Sequence, residues 1–534
     1  VRPTELKEYH DLLCFMVAHP DNRKLLTLVE SELRNFAARI AYYMANTRDR
    51  KAEKLHNSGL VDTTTTHLYS YELTRLLLAN HAKDMSVDWE INEESVEAAL
   101  PGILPPLVAW QENDALDYDE ELGTIDWLEL SRRSRTGGYL KTIVDLLDNA
   151  PIPHLVRRHF YERLDIEATW HLQNSKASRT LKRIPGGSTK FFQREPMIGR
   201  SKDLLKDLRK PAAPLQVLSR REGAAYVLAV NEVLAVRNRE LFPITLANPG
   251  EVYLYRPGRG LTIAIYGMNP EDRLPLETNF GALLIRNGLP IGYGVAAVLF
   301  DRVEIAINVF PAFRNGESAF IIEQFFRAFY RHFGSRVFLV RNTQMGYGED
   351  EALFSGAFWF YNRLGFRALD PSVRKLAEKE REKQKADPRY RTPIGTMRKL
   401  SVSDVVLHTD PAGRATWQDP SIINLGYAVT KFFARQFDGD RRRGLIETIA
   451  SVRKMLKIGS ISAWSPDETA ALERMAPLVA MIPDLKSWTG SEKRDLAGII
   501  RAKGGPKERR FVLLVNGHGK FRAAIAKLAA RPPL

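Results

Sequence analysis

The sequence predicts a mixed α+β/α/β chain, with a twisted mixed sheet and its helices in the middle and largely helical regions on either side. Three observations predict this. Apolar residues recur at intervals of three and four on both flanks, the period of a helix with one buried face. Between about 215 and 370 the pattern changes to short β-rich runs bounded by turn residues. An apolar fraction of 44% over 534 residues is enough for sizeable cores, and at roughly 100–200 residues per domain the length predicts about three domains. The expected organisation is a mostly helical region 1–213, a sheet domain 214–370, a charged linker or helix 371–400 and a helical domain 401–534.

In the first region, Leu12, Leu13, Phe15 and Met16, then Leu25, Leu26, Leu28, Val29, Leu33, Phe36 and Ile40, give two helices broken at Pro20-Asp21-Asn22. Lys51–Lys54 reads as a charged connector. Thr63–Thr66 offer hydroxyl N-caps for a helix over about Leu68–Asn80. Shorter helices are predicted at Leu140–Leu147 and Leu155–Leu164, and a surface loop at Pro185-Gly186-Gly187-Ser188. Within 371–400 ten Lys/Arg stand against four Asp/Glu, and the alternating signs from Leu376 to Lys385 predict a solvated helix there. Beyond about 420 the helical period returns, with starts at Ser465-Pro466-Asp467-Glu468 and Thr489-Gly490-Ser491-Glu492.

The middle segment carries the chemistry. Leu215–Leu218 predicts a short strand, Arg220–Arg239 a helix, and Val252–Tyr255 and Leu261–Tyr266 two strands joined across Pro257-Gly258. Phe280–Ile285, Ile291–Phe300 and Val303–Val309 predict a three-strand meander with an Asn287-Gly288 hairpin. A helix over Ser318–Phe333, a strand at Val337–Val340 and a helix over Glu351–Leu364 follow. The order of these elements, the run Val309-Phe310-Pro311-Ala312-Phe313-Arg314-Asn315-Gly316-Glu317-Ser318-Ala319, and the later Tyr361-Asn362-Arg363-Leu364-Gly365-Phe366 together resemble the GNAT N-acetyltransferase superfamily. The resemblance covers about 155 of the 534 residues. Gln344-Met345-Gly346-Tyr347-Gly348 and Ser355-Gly356-Ala357 also resemble a bacterial group of this multidomain architecture, which brings no substrate with it.

The resemblance implies an acyl-CoA donor, acetyl-CoA in the simplest case, and an amine-bearing acceptor. It implies cofactor contacts from Val309, Arg314, Asn315, Gly316, Ser318, Ala319 and Asn342, because a helix N-terminus presents unpaired amides and partial positive charge to a pyrophosphate. It implies Tyr361 as the acid that protonates the departing thiolate, and Glu304 as candidate general base on the fourth strand, one residue out of the usual register. Asn279 is a weaker alternative for the base, and Asn308 shares the strand face of Glu304. One departure stands out. The family's first loop glycine aligns with Glu317, and the glycine here is one place earlier at Gly316. Glu317 therefore turns outward, acts in the reaction, or closes the site to CoA.

Bulk composition limits the alternatives. A single cysteine, Cys14, excludes an internal disulfide and a Cys-based metal cluster, and fits a reducing cytoplasm. No His-Glu-x-x-His is present, His154 and His159 are five apart, and no metal site is predicted. Gly186-Gly187-Ser188-Thr189-Lys190 lacks the full phosphate-loop spacing and reads as a flexible loop. No apolar stretch is long enough to span a membrane, and Val1-Arg2-Pro3-Thr4-Glu5 lacks the apolar core of a signal peptide, so a cytoplasmic location is expected. The net charge of +14 favours a polyanionic partner such as RNA on a basic surface. Two other readings stand beside the CoA-dependent transferase: a non-catalytic binding or scaffold protein on the same fold, and a transferase with a non-CoA donor such as charged tRNA.

Overall fold

The computed structural model describes residues 2–46, 53–118, 123–131, 138–184, 190–348, 350–410 and 419–530. The expected loop at 185–188 and the first half of the 51–54 connector lie outside them. The chain forms two compact units, each discontinuous in sequence: Val1–Glu195 with Ala225–Leu246 and Ile285–Ile291, and Pro196–Ala224 with Ala247–Leu284 and Gly292–Leu534. Among the described residues no helix is long and apolar enough to cross a membrane.

In the first unit the break at Pro20-Asp21-Asn22 separates helices Pro3–Ala18 and Arg23–Arg34, and the Asn22 side chain caps the second by accepting from the Leu25 amide at 2.9 Å. The threonines at 64–66 are not helix caps. They belong to a strand, β1 (Thr64–Leu68), which suits their branched side chains. The helix that follows is Tyr71–His81, and Ser70 caps it. With β2 (Met85–Val87) and β3 (Glu167–His171), β1 forms a small antiparallel sheet of order β1-β3-β2, not foreseen in this otherwise helical region. The facing hydroxyls of Thr66 and Thr169 lie 2.7 Å apart across it. Trp170 is fully buried in a core with Tyr71, Leu77, Leu140 and Val144.

The second sheet has nine strands, in order β11-β12-β10-β9-β8-β7-β6-β5-β4. These are β4 (Leu215–Val217), β5 (Ala247–Gly258), β6 (Leu261–Met268), β7 (Thr278–Arg286), β8 (Leu289–Leu299), β9 (Arg302–Val309), β10 (Val337–Val340), β11 (Arg367–Ala368) and β12 (Val405–His408). The Asn287-Gly288 turn forms as the sequence predicts, with both residues at positive φ, the two-residue geometry that matches strand twist. The β5–β6 turn falls two residues later than expected, on Arg259-Gly260, again both at positive φ. β9 and β10 are parallel, and the crossover between them is the helix Ser318–His332. β12 comes from the region expected to be helical. It inserts antiparallel between β10 and β11, because Val405 and Val406 give a run too short to show a period but well suited to a buried strand.

The charged stretch 371–400 is helical over Pro371–Ala386 and Ile394–Leu400. Both C-terminal starts form capping boxes, Ser465 with Glu468 and Thr489 with Glu492, at the heads of helices Pro466–Ala480 and Gly490–Lys503.

Candidate functional site

β9 and β10 pair over three positions only: Arg302 with Val337, Val303 with Phe338 and Glu304 with Leu339. β9 then continues to Val309 along β8, while β10 ends at Val340. The parallel ladder therefore stops at Glu304, because β10 ends at Val340 while β9 runs on beside β8. A short turn, Pro311–Phe313, leads from β9 into the helix Ser318–His332, whose first amides have no acceptor within the helix. This places a helix N-terminus directly after β9 and the short turn that follows it.

The candidate residues have different surroundings. Arg314 donates from Nε to the Val309 carbonyl at 3.0 Å and forms an ion pair with Glu351, in the helix Asp350–Phe354 beyond β10. It links the turn after β9 to the helix Asp350–Phe354, and its own carbonyl accepts from the Ser318 hydroxyl at 2.8 Å. Asn315, Gly316 and Ala319 lie in the same turn and helix start. Asn342 is already engaged: its amide N–H donates to Asp404 at 2.8 Å and its side chain donates to the Val402 carbonyl at 3.2 Å. Those donors serve the segment that leads into β12 and are withdrawn from a ligand.

Glu317 does not turn outward. Its side chain is wholly buried and takes a two-oxygen contact from Arg259 Nε at 3.1 Å, together with the Ile198 amide at 2.8 Å. The Arg259-Gly260 turn at positive φ presents that guanidinium. The carboxylate is thus neutralised away from the helix amides, and its role is to pin the 196–201 segment and the β5–β6 turn.

Tyr361 is 5% exposed and packs edge-on against Phe360 and Phe366 in the helix Ala357–Arg363 and the turn after it. Burial pushes its phenol pKa up, which keeps the hydroxyl protonated. Gly346 has φ +101°, and a Cβ there would come within 2.6 Å of the Leu353 amide nitrogen, so its glycine serves packing of the loop on the Asp350–Phe354 helix.

Glu304 is held by Arg341 at 2.7 Å, with Arg302 at 3.5 Å. Arg302 also meets Glu277 and Asp419, both at 3.1 Å, and Arg341 meets Asp404 at 2.9 Å, which makes a row of alternating charge along the β9–β10 edge. Burial raises the pKa of Glu277 within it. Glu304, Ala306 and Asn308 share one half-buried face of β9 with Tyr293, Val295 and Ala297 of β8. The Asn308 side chain donates to the Tyr293 hydroxyl at 3.1 Å. The opposite face packs on the Ser318 helix, where Phe325 lies against Gly294. Arg259, Arg341 and Asp404 were not legible as site residues, since each acts across a large separation in sequence. The only local sign was the Arg-Gly pair that can turn at positive φ.

Glu323, on the same helix, accepts from the Ser201 amide at 2.6 Å. Burial is the main cause that pushes its pKa up to about 7, from 4.5. A carboxyl with a raised folded pKa contributes its full stability below the unfolded value and loses it as pH rises through the folded one. Stability should therefore fall between about pH 4.5 and 7 on this account. Glu323→Gln keeps an acceptor for Ser201 and is expected to flatten that fall and add about 1–3 kcal/mol at pH 8. Urea melts at several pH values check it; an unchanged pH profile would refute it.

No protein-family model, no curated protein and no solved structure matches this chain.

Proposed function

We propose that the nine-stranded sheet and the Ser318–His332 helix form a GNAT-like core, and that the chain is an acyl-CoA-dependent N-acyltransferase. The observation that supports this reading is the short parallel β9–β10 pairing, which stops at Glu304, with a helix N-terminus following β9. The pantetheine arm would enter a V between β9 and β10 beyond Glu304, and its pyrophosphate would meet the amides of Asn315 and 317–319 with Arg314 alongside, the Gly316 amide being taken by the Phe313 carbonyl at 3.1 Å. The amine nitrogen attacks the thioester carbonyl carbon, the C–S bond breaks, and the thiolate takes the Tyr361 proton. The amine approaches along the polar strip of Tyr293, Asn308 and Glu304, and the Glu304 carboxylate takes the proton it loses. Positioning supplies most of the rate, up to roughly 7–11 kcal/mol in favourable cases.

Thermal shift and calorimetry with acetyl-CoA test this. Ligand at a hundred times its dissociation constant should stabilise by about 2.7 kcal/mol. Arg314→Ala should weaken binding by about 1–3 kcal/mol, and Tyr361→Phe should leave affinity nearly intact while slowing turnover roughly 10²-fold. The occupied Arg314 favours a second reading, a binding module without catalysis, because Glu351, Val309 and Asn308 already take its donors. Absence of acetyl-CoA binding would decide for that reading, or for a donor other than CoA.

A further inference from the structure

A cleft of about 760 Å³ lies between the helix Ala357–Arg363, the helices Pro371–Ala386 and Ile394–Leu400, and the loop that joins those two. Arg200, Arg363, Arg381, Lys385 and Arg391 line it, and no described residue lining it is acidic. Lys385 is paired with Glu382 at 2.7 Å. The four arginines have no carboxylate within ion-pair distance among the described residues, although the chain has 64 acidic residues to offer. Arg391 is positioned by the carbonyls of Pro388 and Tyr390, at 2.9 and 3.0 Å. Burial, with Arg200 and Arg391 beside it, lowers the pKa of Arg363.

Gathering unpaired like charges costs a folded chain energy and gives nothing back until an anion arrives. Guanidinium groups suit phosphate oxygens, which they bind two at a time. The volume exceeds what one phosphate needs and falls within the range of sites for nucleotide-sized ligands. Phe354, Trp359 and Tyr390 supply aromatic surface in the same cleft; Phe354 is 71% exposed, and the Trp359 indole is fixed by a hydrogen bond to Thr392 at 3.2 Å. The cleft lies on the side of the Ala357–Arg363 helix that carries Trp359, Asn362 and Arg363, while Tyr361 packs on the other side against Phe366.

We propose that this cleft binds a nucleoside polyphosphate at a site separate from the V, its phosphates on Arg200, Arg363, Arg381 and Arg391 and its base on the aromatic wall. Calorimetry with the full chain and ADP, AMP or inorganic pyrophosphate as titrant tests it. ADP should bind more tightly than AMP, and pyrophosphate should compete with ADP. Arg363→Gln with Arg391→Gln should weaken ADP roughly tenfold or more, whereas the charge-matched pair Arg435→Gln with Arg442→Gln should leave it unchanged. Circular dichroism establishes that both double variants are folded. No ADP binding, or equal loss in both double variants, overturns the proposal. So does binding of a short single-stranded RNA with no competition from ADP, which would make the cleft an RNA surface. Displacement of ADP by acetyl-CoA with one-to-one competition would merge the cleft with the donor site and overturn the claim of a separate one. Failure of acetyl-CoA to bind at all leaves the ADP result standing, so the two readings fail independently.

Discussion

Arg273→Met is expected to destabilise the second unit by about 3–5 kcal/mol, the usual cost of removing one partner from a buried charge pair. Arg273 is almost wholly buried and uses its full fork: Nε donates to the Met268 carbonyl at 3.1 Å, Nη1 to the Lys503 carbonyl at 2.9 Å and to Gly505, and Nη2 to Glu251 at 3.2 Å. Glu508 lies 3.5 Å from Nε and forms an ion pair with Lys503. Two carboxylates and two cations thus balance in a space without water access. Glu251 also caps the helix Glu508–Gly517, accepting from the amides of Glu508 and Arg509 at 2.8 and 2.9 Å. Burial still pushes its pKa up to about 6, despite Arg273 and those amides. Removing Arg273 leaves three carbonyls short of a donor and two carboxylates facing each other, so the Glu251 pKa should rise further. Arg273→Lys should be nearly as damaging, because an ammonium cannot reach the same set of acceptors. Denaturant unfolding measures both; a loss below about 1 kcal/mol for Arg273→Met would refute the account.

Glu317→Gln is expected to cost about 3–4 kcal/mol, and Arg259→Met a similar amount, since each leaves the other charge buried alone. The double variant should cost clearly less than the sum, with a coupling of about 1–3 kcal/mol in a double-mutant cycle. Additive losses would mean that the two side chains act separately. The same variants address ligand binding. Because the carboxylate is held by Arg259 and the Ile198 amide, Glu317→Gln should leave any acetyl-CoA affinity nearly unchanged. Glu317→Gly should lower stability without creating affinity. A large gain of acetyl-CoA binding in Glu317→Gly alone would mean that the natural residue closes the site.

Much of the fold was legible where a local rule operates. The Asn287-Gly288 turn needs two residues at positive φ, and that pair meets the need in any context. The capping boxes at Ser465 and Thr489 are likewise short-range hydrogen-bond geometry. The threonines at 64–66 show where local rules compete: their hydroxyls suit a cap and their branching suits a strand, and pairing with β3 decided for the strand. β12 was invisible for a related reason. Four residues are too few for a period, and its place between β10 and β11 exists only once those strands are side by side.

At the site, the sequence by itself determined which residues follow β9: a turn, an arginine, and a helix start with free amides, because chain connectivity puts 310–319 there. It also determined the aromatic setting of Tyr361, since Phe358, Trp359 and Phe360 precede it on the same helix. Only the tertiary structure decided what Glu317, Arg314 and Asn342 do with their polar groups. Their partners are Arg259, Glu351 and Asp404, at separations of 58, 37 and 62 residues. A charged or amide side chain states what it can bind, but burial and the nearest opposite group choose among its options, and both arise only when distant segments meet.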